Sequence, residues 1–298
     1  MAGLLAGALW GLVFIAPRMA PGLSPVDLAA GRFGVFGLMS LLVLACTPGP
    51  RRWPSWAQLR WALALSVLGF SGYYALLVLA IRDAGTEVPT LVIGTIPLWL
   101  MLLGKPERLR WAALVPGLLL TAAGLALMVH ATPAQVGAAA ASASRWPPHF
   151  LRGVGYAVVA MATWTAFGLL NAAWLRRNPG VTLADWSNWL GVATGSGALL
   201  LWLALGTPAQ VLRAQPDFMT AVWVCVGTGL GAAWLATLLW NIASQRLSAS
   251  LCGQLIVSET LFALLYSFVL DGHGPSASQG AACVLFTLGI LFSIKAHR

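Results

Sequence analysis

Residues 248–270 read SASLCGQLIVSETLFALLYSFVL. The stretch holds no Lys, Arg or Asp, and its single formal charge, Glu259, falls at the middle. An α-helix of this length rises about 35 Å, enough to cross a hydrocarbon layer of ~30 Å with some tilt. A carboxylate at that depth costs roughly 2.5–3.5 kcal/mol on insertion scales. Such a residue marks a substrate or ion pathway, with its side chain turned into the protein or toward water. The plainer alternative is a neutral Glu hydrogen-bonded to a neighbouring helix.

The rest of the chain is of the same kind. Of 298 residues 59% are hydrophobic and 8% charged, where a soluble domain carries about 25% charged. Only a polytopic membrane protein fits. The net charge of +9 does not read as a nucleic-acid footprint, because the basic residues fall in short runs between apolar spans. Ala2–Met19 lacks a basic leader and a small-residue cleavage site, so it reads as a first span and not a signal peptide. Cys46, Cys225, Cys252 and Cys283 sit in or beside apolar spans without CxxC spacing, as small apolar residues do. No motif points to a cofactor or a metal.

Ten spans can be drawn: about 2–19, 26–46, 58–81, 87–104, 111–130, 152–175, 186–206, 219–244, 248–270 and 277–295. The Pro- and Arg-dense TPGPRRWPSW (47–56) and GKPERLRW (104–111) are loops. Residues 132–149 form the longest polar connection and divide the chain into 1–131 and 150–298. With the N-terminus inside, 11 Lys and Arg fall in inside loops: Arg51, Arg52, Arg60, Lys105, Arg108, Arg110, Arg176, Arg177, Arg246, Lys295 and Arg298. The outside loops hold 5: Arg18, Arg82, Arg145, Arg152 and Arg213. That bias puts both termini in the cytoplasm, and an even span count requires them to share a side.

The second half echoes the first. GLSPVD (22–27) matches GVTLAD (180–185), each with Ser or Thr three residues before Asp, a helix-capping pattern. Trp10 and Trp164 sit mid-span in spans 1 and 6, TIPL (95–98) matches SETL (258–261), and Gly124 matches Gly289. Five spans per copy is odd, so the copies are expected upside down relative to each other, as in alternating-access transporters.

With these motifs the chain resembles the drug/metabolite transporter superfamily, with two EamA-type five-helix repeats. The segments that carry the resemblance are AGTEVPTLVIGTIP (84–97) and LSASLCGQLIVSET (247–260). That family often has Glu-Pro in the second copy. Here Thr260 stands in place of Pro, which puts a kink there in doubt, while Pro97 can still bend span 4 as a hinge. The resemblance implies an all-α exporter of metabolites in the bacterial inner membrane, most like the exporters of aromatic amino acids.

Trp is frequent, with 15 copies. Trp53, Trp56, Trp61, Trp111, Trp146, Trp174, Trp186 and Trp189 lie at span ends and read as interface anchors. Trp10, Trp99, Trp164, Trp234 and Trp240 lie too deep for that and are expected to face the bundle or a cavity. Helical spacing groups Trp10 with Phe14; Ser71 with Tyr74; Trp164 with Phe167 and Asn171; Thr237 with Trp240, Asn241 and Ser244; and Gln254 with Ser258 beside Glu259. The candidate substrate-binding residues are Trp10, Tyr74, Thr95, Trp164, Asn171, Trp240, Asn241, Ser244, Gln254 and Ser258, with Glu259 coupling or gating. The alternative is helix–helix hydrogen bonding between small polar side chains. A cavity lined this way suits an amphipathic solute, an amino acid with an aromatic or apolar side chain. Arg32 reads as a snorkelling side chain and Glu87 as a helix-end charge. With no Arg or Lys at mid-depth, a strongly anionic substrate is disfavoured.

An enzyme would show a HExxH, GxSxG or Walker motif, and none is present. Ser196, within Gly195-Ser-Gly197, has no nearby base. His130, His149, His273 and His297 are scattered near span ends. The rival within transporters is a multidrug or cationic-metabolite exporter, in which Glu259 pairs with a cation. The partners expected are the lipid bilayer and a small-molecule substrate, not nucleic acid.

Overall fold

The computed structural model describes residues 1–47, 53–84, 87–106, 109–130, 149–272 and 274–297. Arg51, Arg52, Arg108, Arg145, Trp146, His273, Arg298 and the connection 132–148 lie outside the described residues, as do the side chains of Glu87 and His130. Among the described residues every regular element is helical. Eight helices are long and apolar enough to cross a membrane, and Val92–Leu103 and Trp111–Leu127 are shorter apolar helices.

In chain order the elements are α1 (Ala2–Met19), α2 (Pro25–Cys46), α3 (Trp56–Ala84), α4 (residues 87–103), α5 (Trp111–His130), α6 (Phe150–Arg177), α7 (Leu183–Leu205), α8 (Phe218–Arg246), α9 (Ala249–Asp271) and α10 (Ala277–Ala296). Local chemistry sets several starts. Ser24 caps α2 by accepting from the Asp27 N–H at 3.2 Å, and Thr182 caps α7 by accepting from the Asp185 N–H at 3.0 Å. Both caps are the ones the repeated motif predicts. Ser248 caps α9 in the same way through the Leu251 N–H.

The breaks are as informative as the starts. α4 stops at Gly94 and restarts at Ile96, with Thr95 between. Pro97 falls in the first turn of the second piece, where its missing N–H costs no intrahelical bond. α9 is unbroken through Thr260, which keeps the backbone donor a proline would lack. α3 and α8 each contain a π-helical turn, Val67–Ser71 and Gly229–Leu235. In both 29-residue helices the turn follows an 11-residue α-helical segment. No periodicity in the sequence announces these turns, which are frequent at functional sites.

Packing follows one pattern in both halves. α1 lies along α9 with Gly3, Gly7 and Gly11 against Leu255, Ser258 and Ala263, so the two run parallel. α6 lies along α4 in the same sense, with Met161 against Thr95 and Gly168 against Leu100. α1 also packs on α8, and α6 on α3. The matched helices meet their own counterparts head to tail. Gly37 and Ser40 of α2 face Gly195 and Gly191 of α7, and Gly117 and Gly124 of α5 face Ser293 and Phe286 of α10. At the α2–α7 crossing a Cβ on Gly37 would lie 2.8 Å from the Gly195 Cα, so only glycines allow that approach.

The aromatic anchors divide. Trp53, Trp56, Trp61 and Trp111 are exposed, as interface residues should be. Trp174, Trp186 and Trp189 are not anchors but core: they are buried with Leu65, Phe167 and Leu190. Trp174 and Trp186 stack with ring centroids 3.5 Å apart. Their position at span ends misled because α6 and α7 pack against each other and α3 there, so the rings find protein before they find lipid headgroups.

Candidate functional site

The deep tryptophans of three helices converge. Trp10 of α1 meets Trp240 of α8 at 5.3 Å between ring centroids and Trp164 of α6 at 6.3 Å. Trp164 continues to Phe167 at 6.0 Å, Phe167 to Phe70 of α3 at 5.3 Å, and Phe70 to Phe33 of α2 at 5.7 Å. Phe33 then meets Tyr74 at 6.1 Å. The result is an unbroken row of rings from α8 to α2, mostly in the edge-on or tilted geometries that aromatic quadrupoles favour. Trp10, Trp164, Phe70 and Tyr74 are half-buried, whereas Phe33, Phe167 and Trp240 are buried.

At the α2 end of the row sits Arg32. Its guanidinium carbon lies 4.5 Å from the Phe33 ring centroid and 6.0 Å from that of Tyr74. Its Nε is buried and has no hydrogen-bond partner among the described residues. Arg32 is therefore turned into the bundle and does not snorkel. It lies about 12 Å along α2 from the Ser24 cap, at 1.5 Å per residue. The depth was visible in the sequence; the direction was not. The expectation that no cation lies at mid-depth falls with it.

Glu259 of α9 is a second charge within an apolar span. Its backbone is held against Gly7 and Gly11 of α1. Arg32 and Glu259 lie within electrostatic reach of each other, and Tyr73 is in reach of both. No ion pair within 4.0 Å joins them. Arg32, Tyr73 and Glu259 are each half-buried.

Several other candidates find partners within the protein. Asn171 donates to Asn241 Oδ1 at 2.8 Å and accepts from Trp186 Nε1 at 2.9 Å, and Asn241 donates to Ser187 Oγ at 2.8 Å. Asn171 and Asn241 are fully buried, so this network closes on itself. Gln254 faces Thr121 of α5, donating at 2.9 Å, on the side of α9 away from α1. Ser258 donates to the Leu255 carbonyl at 2.7 Å and contacts Gly7. Ser244 is buried beside Cys252. Thr95, at the α4 break, donates to the Val92 carbonyl at 2.6 Å and accepts from Trp99 Nε1 at 3.2 Å. Trp99 and Phe14 are 42% and 56% exposed and point away from the bundle, against expectation. Trp234 turns inward and donates to Asn188 at 2.9 Å. Trp240 Nε1 is buried without a partner among the described residues.

Two sets of polar contacts join helix ends. Asp27 accepts from the Thr207 N–H at 2.9 Å and its hydroxyl at 2.7 Å, tying the start of α2 to the end of α7. Arg152 of α6 donates to Asp83 of α3 at 2.7 Å. A cleft of about 330 Å³ opens beside Asp27, between α2, α7 and the start of α8. It is almost wholly apolar and includes none of Trp10, Arg32, Tyr74, Trp164 or Glu259. Its size does not make it the site.

Residues 1–130 match the EamA-like transporter family. Inner membrane protein YtfF of Escherichia coli (strain K12) is 30% identical over 307 aligned positions, covering 98% of this chain and 94% of YtfF. The chain belongs to the EamA-like transporter family. It is a multi-pass membrane protein of transporter type. A solved crystal structure shares this EamA-like fold over 100% of the chain and 97% of its own, with a TM-score of 0.76 at 23% identity. In this EamA-like protein the two matched segments form the broken α4 and the unbroken α9, which touch where Gly253 meets Leu100. The row of rings and the Arg32–Glu259 neighbourhood lie among α1, α2, α3, α6, α8 and α9.

Proposed function

We propose that the chain is a secondary transporter that exports small amphipathic metabolites, amino acids with aromatic or apolar side chains, by alternating access. The observation that carries this is the row of rings from Trp240 through Trp10 and Trp164 to Phe33, which ends beside charged groups. Aromatic faces suit a planar or apolar side chain, and the charged end suits the polar part of the same molecule.

The architecture we infer is ten spans in two inverted five-helix repeats, 1–131 and 150–298, joined by 132–149. Its support is the head-to-tail packing of α2 on α7 and α5 on α10, the matched caps and the matched π-helical turns. The break at Thr95, with Pro97 just beyond, is a natural hinge. Glu259 couples or gates the cycle. The excess of Lys and Arg in alternate loops supports an inner-membrane protein with both termini in the cytoplasm.

The acid Glu259 also favours a second reading, an exporter of multiple drugs or cationic metabolites. Counterflow in proteoliposomes separates the two. Vesicles preloaded with Phe, Trp, Thr, a sugar or an organic cation are tested for uptake of the labelled solute. The proposal expects exchange of Phe and Trp well above Thr and the sugar. Exchange of the cation with none of the amino acids would reverse it.

A further inference from the structure

The row of rings accounts for the apolar end of a substrate but leaves two charges unexplained. Arg32 and Glu259 belong to different halves of the chain, α2 and α9, and lie within electrostatic reach of each other. Each is an expensive group among apolar helices, and such groups normally pair. These two do not: no contact within 4.0 Å joins them, and Arg32 Nε has no acceptor among the described residues. Among the described residues neither makes a side-chain hydrogen bond to another side chain. They are held near each other, opposite in sign and apart.

We propose that Arg32 and Glu259 are the two ends of a zwitterion-recognition site, the guanidinium taking the carboxylate and the Glu259 carboxylate taking the ammonium of one α-amino acid. This rests on the amino-acid reading above and deepens it. An α-amino acid carries its two charges on neighbouring atoms of one carbon. A single molecule lying between the groups satisfies both, and the occupied site has no net charge. Arginine's planar fork matches a carboxylate with two parallel hydrogen bonds. The guanidinium already rests on Phe33, at one end of the row, so a substrate held by its carboxylate there has its side chain toward the half-buried Phe70 and Trp164. Tyr73 lies in electrostatic reach of both charges, and the Tyr74 ring lies 6.0 Å from the guanidinium. A direct Arg32–Glu259 ion pair would cancel both charges and leave nothing to read. The gap between them is what makes the site selective against plain cations and plain anions, each of which leaves one half-buried charge unmatched.

The test is binding and counterflow with the full chain in lipid vesicles, using three probes of one shape: L-phenylalanine, phenylethylamine without the carboxylate, and 3-phenylpropionate without the ammonium. Wild type is expected to prefer phenylalanine over both by about 30-fold or more, the cost of leaving one partner of a buried charge pair unmatched. Arg32→Gln should lose phenylalanine by a similar factor while phenylethylamine is kept or improved. Glu259→Gln should lose phenylalanine while phenylpropionate is kept or improved. Arg32→Lys, which keeps the charge, should restore part of the phenylalanine binding, and monodispersity in detergent identifies any variant that has failed to fold. Wild type that exchanges phenylalanine, with variants that weaken all three probes alike or none of them, overturns the assignment and leaves the amino-acid reading standing. Wild type that exchanges no amino acid overturns both.

Discussion

Asn171→Ala tests whether the buried amide network is part of the substrate site or of the packing. The substitution removes two hydrogen bonds, to Asn241 Oδ1 and from Trp186 Nε1. Interhelical side-chain bonds in membranes average about 0.6 kcal/mol and reach about 1.7, so the pair is worth about 1–3 kcal/mol. Both abandoned groups stay in a dry interior, since Trp186 and Asn241 are 0% exposed, which adds to the loss. We expect about 2–4 kcal/mol of destabilisation in reversible unfolding by a denaturing detergent. Trp186→Phe removes one bond and keeps a ring stacked on Trp174, so about 1 kcal/mol is expected. A double-mutant cycle between Asn171 and Asn241 should give coupling of about 0.5–1.5 kcal/mol. Phenylalanine affinity measured on the surviving folded protein should change by less than about threefold, which is below 1.4 kcal/mol. A loss of affinity above about tenfold with stability unchanged would falsify the packing account and return Asn171 to the substrate.

Three further outcomes follow from particular contacts. Gly195→Ala places a methyl 2.7 Å from the Gly37 Cα and must push α2 from α7, at about 1–3 kcal/mol, whereas Gly34→Ala, with nothing within 4 Å, should be neutral by the same unfolding assay. Pro97→Ala supplies an N–H and lets α4 straighten; turnover in counterflow should fall several-fold while substrate affinity holds, and unchanged turnover would remove the hinge. Reversing the charge at Asp83 or Arg152 alone should lower transport, and reversing both should recover part of it, because the 2.7 Å contact is restored with its sign exchanged while Arg82, 3.1 Å from Asp83, then faces a like charge. Failure of the double reversal would show that the contact has no part in the cycle.

The balance between sequence and structure differs from residue to residue. Helix existence was legible because a bilayer forces apolar runs long enough to satisfy every backbone group internally, and little else in a chain looks like that. The Ser24 and Thr182 caps were legible because they are local, three residues across. The site was half legible. Trp10, Trp164 and Trp240 were marked by depth alone and do meet. Trp99 was marked the same way and faces outward, since depth along a helix says nothing of direction around it. Asn171 and Asn241 share a helical face with ring residues, yet their amides find each other first.

Composition and span length by themselves determined that this chain lives in a membrane, and its internal echoes pointed to two related halves. Only the tertiary structure decided that Arg32 turns inward onto Phe33. It alone showed that Trp186 belongs to the core and where α3 and α8 loosen into π-helical turns. The reason is geometric. Partition into a bilayer depends on how many apolar groups a segment holds, which the residue order records. Which face of a helix meets which neighbour depends on contacts between residues more than a hundred positions apart, and no local pattern encodes those.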